Sequence, residues 1–174
     1  KSKGYPMDEV SLEDLEIHKE EYDKAISLIR GVLKKISSMG YEIKGFNAYT
    51  ESNVMKGSGL SSSAAFEVLI GTIVNNLCAN NEISPVEIAK IGQFAENVYY
   101  NKPSGLLDQM ASSVGAVVAV DFKDNEAPVV RKVDFNLSDY DHSLCIIDSG
   151  ADHADLTHEY AAVTEEMRLV SEFF

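Results

Sequence analysis

A loop rich in glycine and serine is the part of this sequence best suited to chemistry. Its residues are Gly57, Ser58, Gly59, Leu60, Ser61, Ser62 and Ser63. Glycines let the backbone approach a ligand closely, and the first N–H groups of a following helix favour an anion. The serine hydroxyls can donate to phosphate oxygens or coordinate Mg²⁺. The loop therefore indicates a phosphate site.

A purely structural interpretation of the same loop stays open. A glycine turn followed by a serine that caps the next helix would contribute about 1 kcal/mol to stability and nothing to function. The absence of G-K-[ST] excludes a Walker loop, and the absence of a third glycine excludes a dinucleotide fingerprint. Lys56, just before the loop, is either close enough to reach a phosphate or an ordinary solvated lysine.

Apolar periodicity predicts the elements that hold the loop in place. Ser84, Pro85 and Glu87 have the order of a capping box, and Gly40 stands where a helix C-cap favours glycine. The pattern predicts helices over 18–39, 61–78, 84–98, 106–114 and 153–173, and strands over 41–49, 116–122, 128–135 and 143–148.

The composition narrows the class of protein. A chain of 174 residues that is 45% hydrophobic can bury one core, so a single domain or a large piece of one is expected. The net charge of −13 disfavours binding to nucleic acid or to an anionic membrane. Cys78 and Cys145 lie far apart in apolar runs, which is typical of reduced thiols, and no apolar run is long enough for a membrane span. We expect a cytoplasmic protein.

The stretch KGSGLSSSAAFEV resembles the second signature of the GHMP kinase family, which includes galactokinase, homoserine kinase and mevalonate kinase. Met55 stands where the family pattern P-x-G-x-G-L-[GS]-S-S-A has proline. The resemblance implies an α+β fold with a mixed sheet covered by helices and a left-handed crossover. It also implies that residues 57–63 bind the phosphates of ATP and that Ser63 helps to hold Mg²⁺.

A second stretch, AENVYYNKPSGLLDQMAS, resembles the galactokinase branch of the family. The interval of 12 residues from Glu96 to Asp108 (108 − 96 = 12) matches the family spacing. The resemblance implies that Glu96 is a Mg²⁺ ligand, that Asp108 is the catalytic base or orients the hydroxyl, and that Gly105 lines the sugar. Without it, Glu96 is an exposed helix residue and Asp108 a carboxylate favoured by a helix N-terminus.

The last helical pattern carries a third part of the resemblance, which extends from about Asn47 to Met167. Here Tyr160 corresponds to a family tyrosine beside the sugar, although an aromatic residue at helical spacing is also typical of packing. We expect 1–174 to be a single, partial catalytic domain with part of the following lobe. The helix that begins near 153 would lead toward a further C-terminal lobe.

The resemblance implies transfer of the γ-phosphoryl group of ATP to the 1-hydroxyl of galactose, with Mg²⁺ as the second cofactor. Galactose and ATP are thus the expected small-molecule partners. Three alternatives remain open: another small-molecule GHMP kinase, a non-catalytic sugar or nucleotide sensor on the same fold, and a partner-binding domain whose glycine loop is only a turn.

We expect the 174-residue chain by itself to be inactive. Nothing like the family's first signature, G-R-x-N-L-I-G-E-H-x-D, occurs before Tyr41, and nothing like its glycine-rich third signature follows Tyr160. The first signature supplies an arginine beside the transferred phosphate, and losing one such donor commonly costs about 10²-fold or more in rate. Galactose-dependent ADP release from this chain at about 1 s⁻¹ or faster, an ordinary kinase rate, would contradict the expectation.

Overall fold

The computed structural model describes residues 1–53, 59–124, 126–147 and 157–174, without the side chains of 157, 158, 160, 161 and 164. Its helices are α1 (Ala25–Ser38), α2 (Ser62–Cys78), α3 (Pro85–Phe94), α4 (Leu107–Val114) and α5 (Thr157–Phe173), with a π-helical segment at Ala95–Tyr100 and 3-10 turns at Lys19–Glu21 and Leu137–Tyr140. Its strands are β1 (Val117–Asp121) and β2 (Val129–Val133). The described residues therefore combine helices with a small sheet, which confirms the predicted α+β class.

The core lies between α1, α2, α3 and the π-helical segment. Val32 and Ile36 of α1 are fully buried, as are Val74 of α2 and Ala95 of the π-helical segment. At Gly31 the α1 backbone comes so close to the π-helical segment that an added Cβ would lie 2.8 Å from the Cβ of Ala95. A side chain at position 31 would hold these two elements apart, so the glycine sets their spacing.

The predicted capping box begins α3. The Ser84 hydroxyl accepts a hydrogen bond of 3.2 Å from the Glu87 N–H, and Pro85 is the first helical residue. The helix was predicted to continue through Val98. The chain does stay helical to this point, but its geometry changes from α to π at Ala95. The π-helical segment ends at Asn101, whose φ of +65° is left-handed. A π turn is a local widening of a helix and is frequent at functional sites.

The C-terminal part of the described core is a helix followed by a hairpin. Helix α4 packs against both α2 and α3, and β1 pairs with β2 in antiparallel register, with Val117 opposite Val133 and Asp121 opposite Val129. The predicted helix at 106–114 and the predicted strands at 116–122 and 128–135 are confirmed within a few residues.

Two predicted strands are wrong. Segment 41–49 forms no strand, because its aromatic and apolar side chains, including Tyr41, Ile43 and Phe46, pack against the helical core instead. Near its end the Lys1 amino group donates a hydrogen bond of 2.8 Å to the carbonyl of Ala48, and an isolated parallel bridge joins Ser2 to Thr50. Residues 143–147 also form no strand, since this apolar run is exposed and has no partner strand among the described residues. The mixed sheet therefore stays a family expectation.

The outer limits of two predicted helices also change. The first helix begins at Ala25 and not near His18, because Asp23 takes a left-handed φ of +60° and Lys24 is extended. Its end is as predicted, with Gly40 at a φ of +94° donating to the carbonyl of Ser37. The last helix covers Thr157–Phe173, whereas the predicted start at 153–156 lies outside the described residues.

The close approach at Gly31 predicts a specific loss of stability. Gly31→Ala should destabilise the protein by about 1–3 kcal/mol, because the new methyl group meets the backbone of Ala95, 2.9 Å away at its Cα, which cannot rotate aside. Gly45→Ala is the matched control, since nothing lies within 4 Å of its added Cβ. Urea denaturation of both variants measures the difference, and equal stability of the two would refute the packing argument.

Candidate functional site

The described part of the glycine loop turns sharply into α2. Gly57 and Ser58 lie outside the described residues, while Gly59 has a φ of +72°, a value that favours glycine. Ser61 is the N-cap of α2 but takes a left-handed φ of +55°, and its side chain makes no capping hydrogen bond. A non-glycine residue in this conformation costs about 1–2 kcal/mol. Backbone strain at a helix start, without a capping hydrogen bond, supports a functional role for this loop over a role in helix capping.

The start of α2 meets the π-helical segment. The Ser63 hydroxyl, on the first turn of α2, donates a hydrogen bond of 2.9 Å to Oε1 of Glu96. The first N–H groups of an α-helix have no acceptor within the helix, and they lie on the same turn as Ser63. The last residue of the predicted phosphate loop therefore lies beside the predicted metal-binding carboxylate.

Glu96 is a buried carboxylate with three side-chain partners. It is 2% exposed, and it is not the exposed helix residue of the structural alternative. Its Oε1 accepts from Ser63 and also from Nζ of Lys102 at 3.2 Å, while its Oε2 accepts from Nε2 of Gln109 at 2.8 Å. Sequence reasoning missed both Lys102 and Gln109, although Gln109 directly follows Asp108 in the GLLDQ motif.

Glu67 is a second buried acid that sequence reasoning missed. It lies one helical turn after Ser63, and its Oε2 accepts a hydrogen bond of 3.1 Å from the same Gln109 nitrogen that binds Glu96. Burial, and then the negative charge of Glu96, raise the pKa of Glu67 to about 8. Its one detectable signal in the sequence is a single charge within the apolar run AAFEVLIGTIV.

Gln109 connects the two acids, and glycine makes room for the connection. Its side chain is fully buried, and its amide nitrogen donates to one carboxylate on α2 and to another on the π-helical segment. A Cβ added at Gly92 would lie 3.1 Å from Oε2 of Glu67 and 3.2 Å from Cγ of Gln109. The side-chain oxygens Glu67 Oε1 and Gln109 Oε1 are buried and have no hydrogen-bond partner.

Asp108 borders this network on its exposed side. It lies in the first turn of α4, where the helix dipole favours a carboxylate, and its charge contributes to the raised pKa of Glu67. Gly105 lies in the exposed loop before α4, with nothing within 4 Å of an added Cβ. Tyr160 belongs to α5, but its side chain lies outside what the structure describes.

The donor atoms at the start of α2 suit a hard cation. Mg²⁺ is usually bound through one or two carboxylates together with substrate phosphates and water. Ser63 Oγ and Glu96 Oε1, 2.9 Å apart, offer oxygen ligands of this type beside a helix N-terminus. Across the described residues no group of three or more His, Cys, Asp or Glu is arranged to hold a metal alone. The residues present fit a cation that brings its remaining ligands with a nucleotide.

Comparison with known proteins identifies the family. Residues 27–116 match the family model of the GHMP kinases N terminal domain, which is more than half of the chain. The chain belongs to the GHMP kinase family. The matched range contains Ser63, Glu67, Glu96 and Gln109, so the buried network lies wholly within the family domain.

Several curated proteins named galactokinase are similar to this chain. One from Clostridium perfringens (strain SM101 / Type A) is 39% identical over 132 residues, which is 75% of this chain and 33% of that protein. One from Clostridium beijerinckii is 43% identical over 108 residues, 62% of this chain and 27% of that protein. One from Streptomyces coelicolor is 34% identical over 130 residues, which is 75% of this chain and 33% of that protein. The chain thus spans about a third or less of the length of these relatives.

None of the described helices is both long and apolar enough to cross a membrane.

The buried Glu67 predicts a specific dependence of stability on pH. In the unfolded chain its carboxyl ionises near pH 4.5, whereas in the folded protein it keeps its proton until about pH 8. The folded state therefore binds more protons within this window, so the free energy of unfolding falls as the pH rises from 4.5 to 8. The loss from this group amounts to up to about 5 kcal/mol and is complete above pH 8.

Glu67→Gln should remove that pH dependence, because glutamine resembles the protonated acid in shape and carries no charge. Urea denaturation at pH 5 and pH 8, with EDTA present, compares the variant with the native protein. The exposed Glu42 offers a control, since Glu42→Gln should leave the difference between the two pH values unchanged. An identical pH dependence in native protein and Glu67→Gln would show that Glu67 is ionised when folded.

Proposed function

We propose that the full-length protein containing this chain is a sugar kinase that phosphorylates the 1-hydroxyl of galactose with ATP. The observation that carries the proposal is the 2.9 Å contact between Ser63 Oγ and Glu96 Oε1 at the start of α2. Because of this contact, the Glu96 carboxylate, a group of the kind that binds Mg²⁺, lies beside a helix N-terminus, which suits a phosphate. The relatives named galactokinase support the choice of substrate.

The phosphates of ATP would lie against residues 57–63. The left-handed backbone at Gly59 and Ser61 turns the chain just before α2 begins, which would let the loop approach the phosphates closely. Amide groups of the first turn of α2 would then face the negative charge, and the serine hydroxyls would add donors. Because such a site would act through the backbone, it could bind a nucleotide in a chain whose net charge of −13 would otherwise repel one.

Ser63 and Glu96 would hold Mg²⁺, which neutralises charge on the phosphates of the bound nucleotide. Gln109 keeps Oε2 of Glu96 occupied, so that Oε1 is the oxygen directed toward Ser63. Asp108, exposed at the border of the network, would orient the sugar hydroxyl and accept its proton. The hydroxyl oxygen forms a bond to the γ-phosphorus while the bond from that phosphorus to the bridging oxygen breaks, releasing ADP.

The remaining contacts of the sugar are proposed from the family pattern. Gly105 leaves open space in the loop before α4, which suits a position against a sugar ring. Tyr160 on α5 would pack beside the sugar. We further propose that residues 1–174 are one partial catalytic domain, that α5 leads toward a further lobe, and that the protein acts in the cytoplasm.

Asp108→Asn tests the proposal in the full-length protein. The substitution removes the proton acceptor and keeps the size of the side chain, so galactose-dependent ADP release should fall about 10²- to 10⁴-fold. Binding of Mg-ATP, measured by calorimetry, should persist, because the phosphate loop and Glu96 are unchanged. Asp134→Asn is the matched control, since Asp134 is also exposed and the substitution removes the same charge.

The same experiment separates an enzyme from a sensor. A non-catalytic sensor would show no turnover in the native protein and would keep its response to sugar and nucleotide in Asp108→Asn. Full turnover in Asp108→Asn would instead remove Asp108 from the proposed mechanism. A protein that neither turns over nor is stabilised by Mg-ATP or galactose would be a binding domain that uses the loop only as a turn.

A further inference from the structure

Lys102 occupies the carboxylate oxygen that the proposed metal would need. Its Nζ lies 3.2 Å from Oε1 of Glu96, the same oxygen that accepts the Ser63 hydroxyl. The other oxygen, Oε2, is bound by Gln109. A cation that joins Ser63 and Glu96 through Oε1 would therefore meet an ammonium group already in place.

The backbone around Lys102 holds the ammonium group near Glu96. The N–H of Lys102 donates to the carbonyl oxygen of Glu96 at 3.1 Å, and the N–H of Asn101 bonds the same carbonyl. Asn101 takes the left-handed conformation that ends the π-helical segment and returns the chain toward Glu96. The lysine is thus fixed at its base by the residue whose side chain it pairs with.

The two partners of this ion pair differ in exposure. The Glu96 side chain is 3% exposed, whereas the Lys102 side chain is 34% exposed. A buried carboxylate without a cation is costly, while a lysine of this exposure can carry its charge into water with little penalty. The ammonium group is therefore the member of the pair that is able to leave.

We propose that Lys102 is a positioning residue that competes with Mg²⁺ for Oε1 of Glu96 and so sets the affinity of the site for the cation. The proposal rests on the proposed function, because it takes Ser63 and Glu96 as the metal ligands. Two cations on one carboxylate oxygen repel each other, so binding of the metal displaces the ammonium group toward solvent. Lys102 keeps Glu96 paired before the metal arrives, and it weakens metal binding in return.

The test is a titration of the full-length protein with Mn²⁺, which replaces Mg²⁺ and is counted by electron paramagnetic resonance. A non-hydrolysable ATP analogue is present, so that no turnover is involved. Lys102→Gln removes the competing charge and keeps a polar side chain. We expect Mn²⁺ to bind about two- to fivefold more tightly to this variant than to the native protein, the upper part of the range for a partly exposed ion pair. Equal or weaker binding would overturn the proposal.

Two control variants separate competition at Oε1 from a general effect of charge. Lys102→Arg keeps a cation beside Glu96, so its Mn²⁺ affinity should stay close to the native value. Lys123→Gln removes one positive charge at an exposed position after β1, and its affinity should also stay close to the native value. Tighter binding in Lys123→Gln, equal to that of Lys102→Gln, would contradict a local role for Lys102.

Thermal unfolding supplies a second readout, because a merely structural lysine would stabilise the protein equally with and without metal. Lys102→Gln should lower the melting temperature in EDTA, where Glu96 loses its cation. With Mn²⁺ and the ATP analogue the variant should recover the native value, since the metal replaces the lost charge. An equal loss under both conditions would overturn the proposal.

Glu96→Gln distinguishes failure of this inference from failure of the proposed function. Loss of Mn²⁺ binding in Glu96→Gln, together with tighter binding in Lys102→Gln, supports both. If Glu96→Gln binds Mn²⁺ as well as the native protein does, Glu96 is not a ligand and the metal site itself is refuted. If Glu96→Gln loses binding while Lys102→Gln is unchanged, the metal site stands and competition by Lys102 is refuted.

Discussion

Two buried carboxylates that share one amide nitrogen set the geometry of the site. Gln109 Nε2 lies 2.8 Å from Glu96 Oε2 and 3.1 Å from Glu67 Oε2, so it ties the π-helical segment to α2 through a residue of α4. Three elements must therefore meet at one point. Burying two like charges side by side is unfavourable. This cost is reduced because the raised pKa of Glu67 keeps that acid neutral, while Glu96 pairs with Lys102.

The backbone supplies the close packing that this arrangement needs. Gly31 lets α1 touch Ala95, the first residue of the π-helical segment, and Gly92 leaves room for Glu67 and Gln109. The π geometry begins just before Glu96, and Ser61, the left-handed N-cap residue of α2, lies two residues before Ser63. Irregular backbone thus lies directly beside both residues proposed as metal ligands. Strained or widened turns of this kind persist only where the surrounding structure holds them in place. The close packing that Gly31 and Gly92 allow provides such surroundings.

Local signals in the sequence predicted the helices better than the strands. The capping residue Ser84 and the terminating Gly40 act within one turn of chain, so their effects can be recognised without the fold. Segment 41–49 has the composition of a strand, but its side chains pack on helices and its backbone lacks a partner ladder. The family motifs implied that Ser63 and Glu96 serve one metal site, which agrees with their direct contact. The shared Gln109 amide and the Lys102 ion pair did not, because they depend on which side chains α4 and the loop after the π-helical segment direct inward.

The buried network is poorly explained as a device for stability alone. Replacing buried ionic groups by apolar residues of similar volume is often neutral or stabilising, and a buried polar atom without a partner is costly. Glu67 Oε1 and Gln109 Oε1 are both buried and have no hydrogen-bond partner, whereas other buried polar side chains of the described core, such as Arg30 and Asn75, are hydrogen-bonded. Local departures from good packing are expected at functional sites and are compensated elsewhere in a fold. The free energy spent on burying, orienting and pairing Glu96 is therefore best explained by the need for a fixed carboxylate beside the first turn of α2.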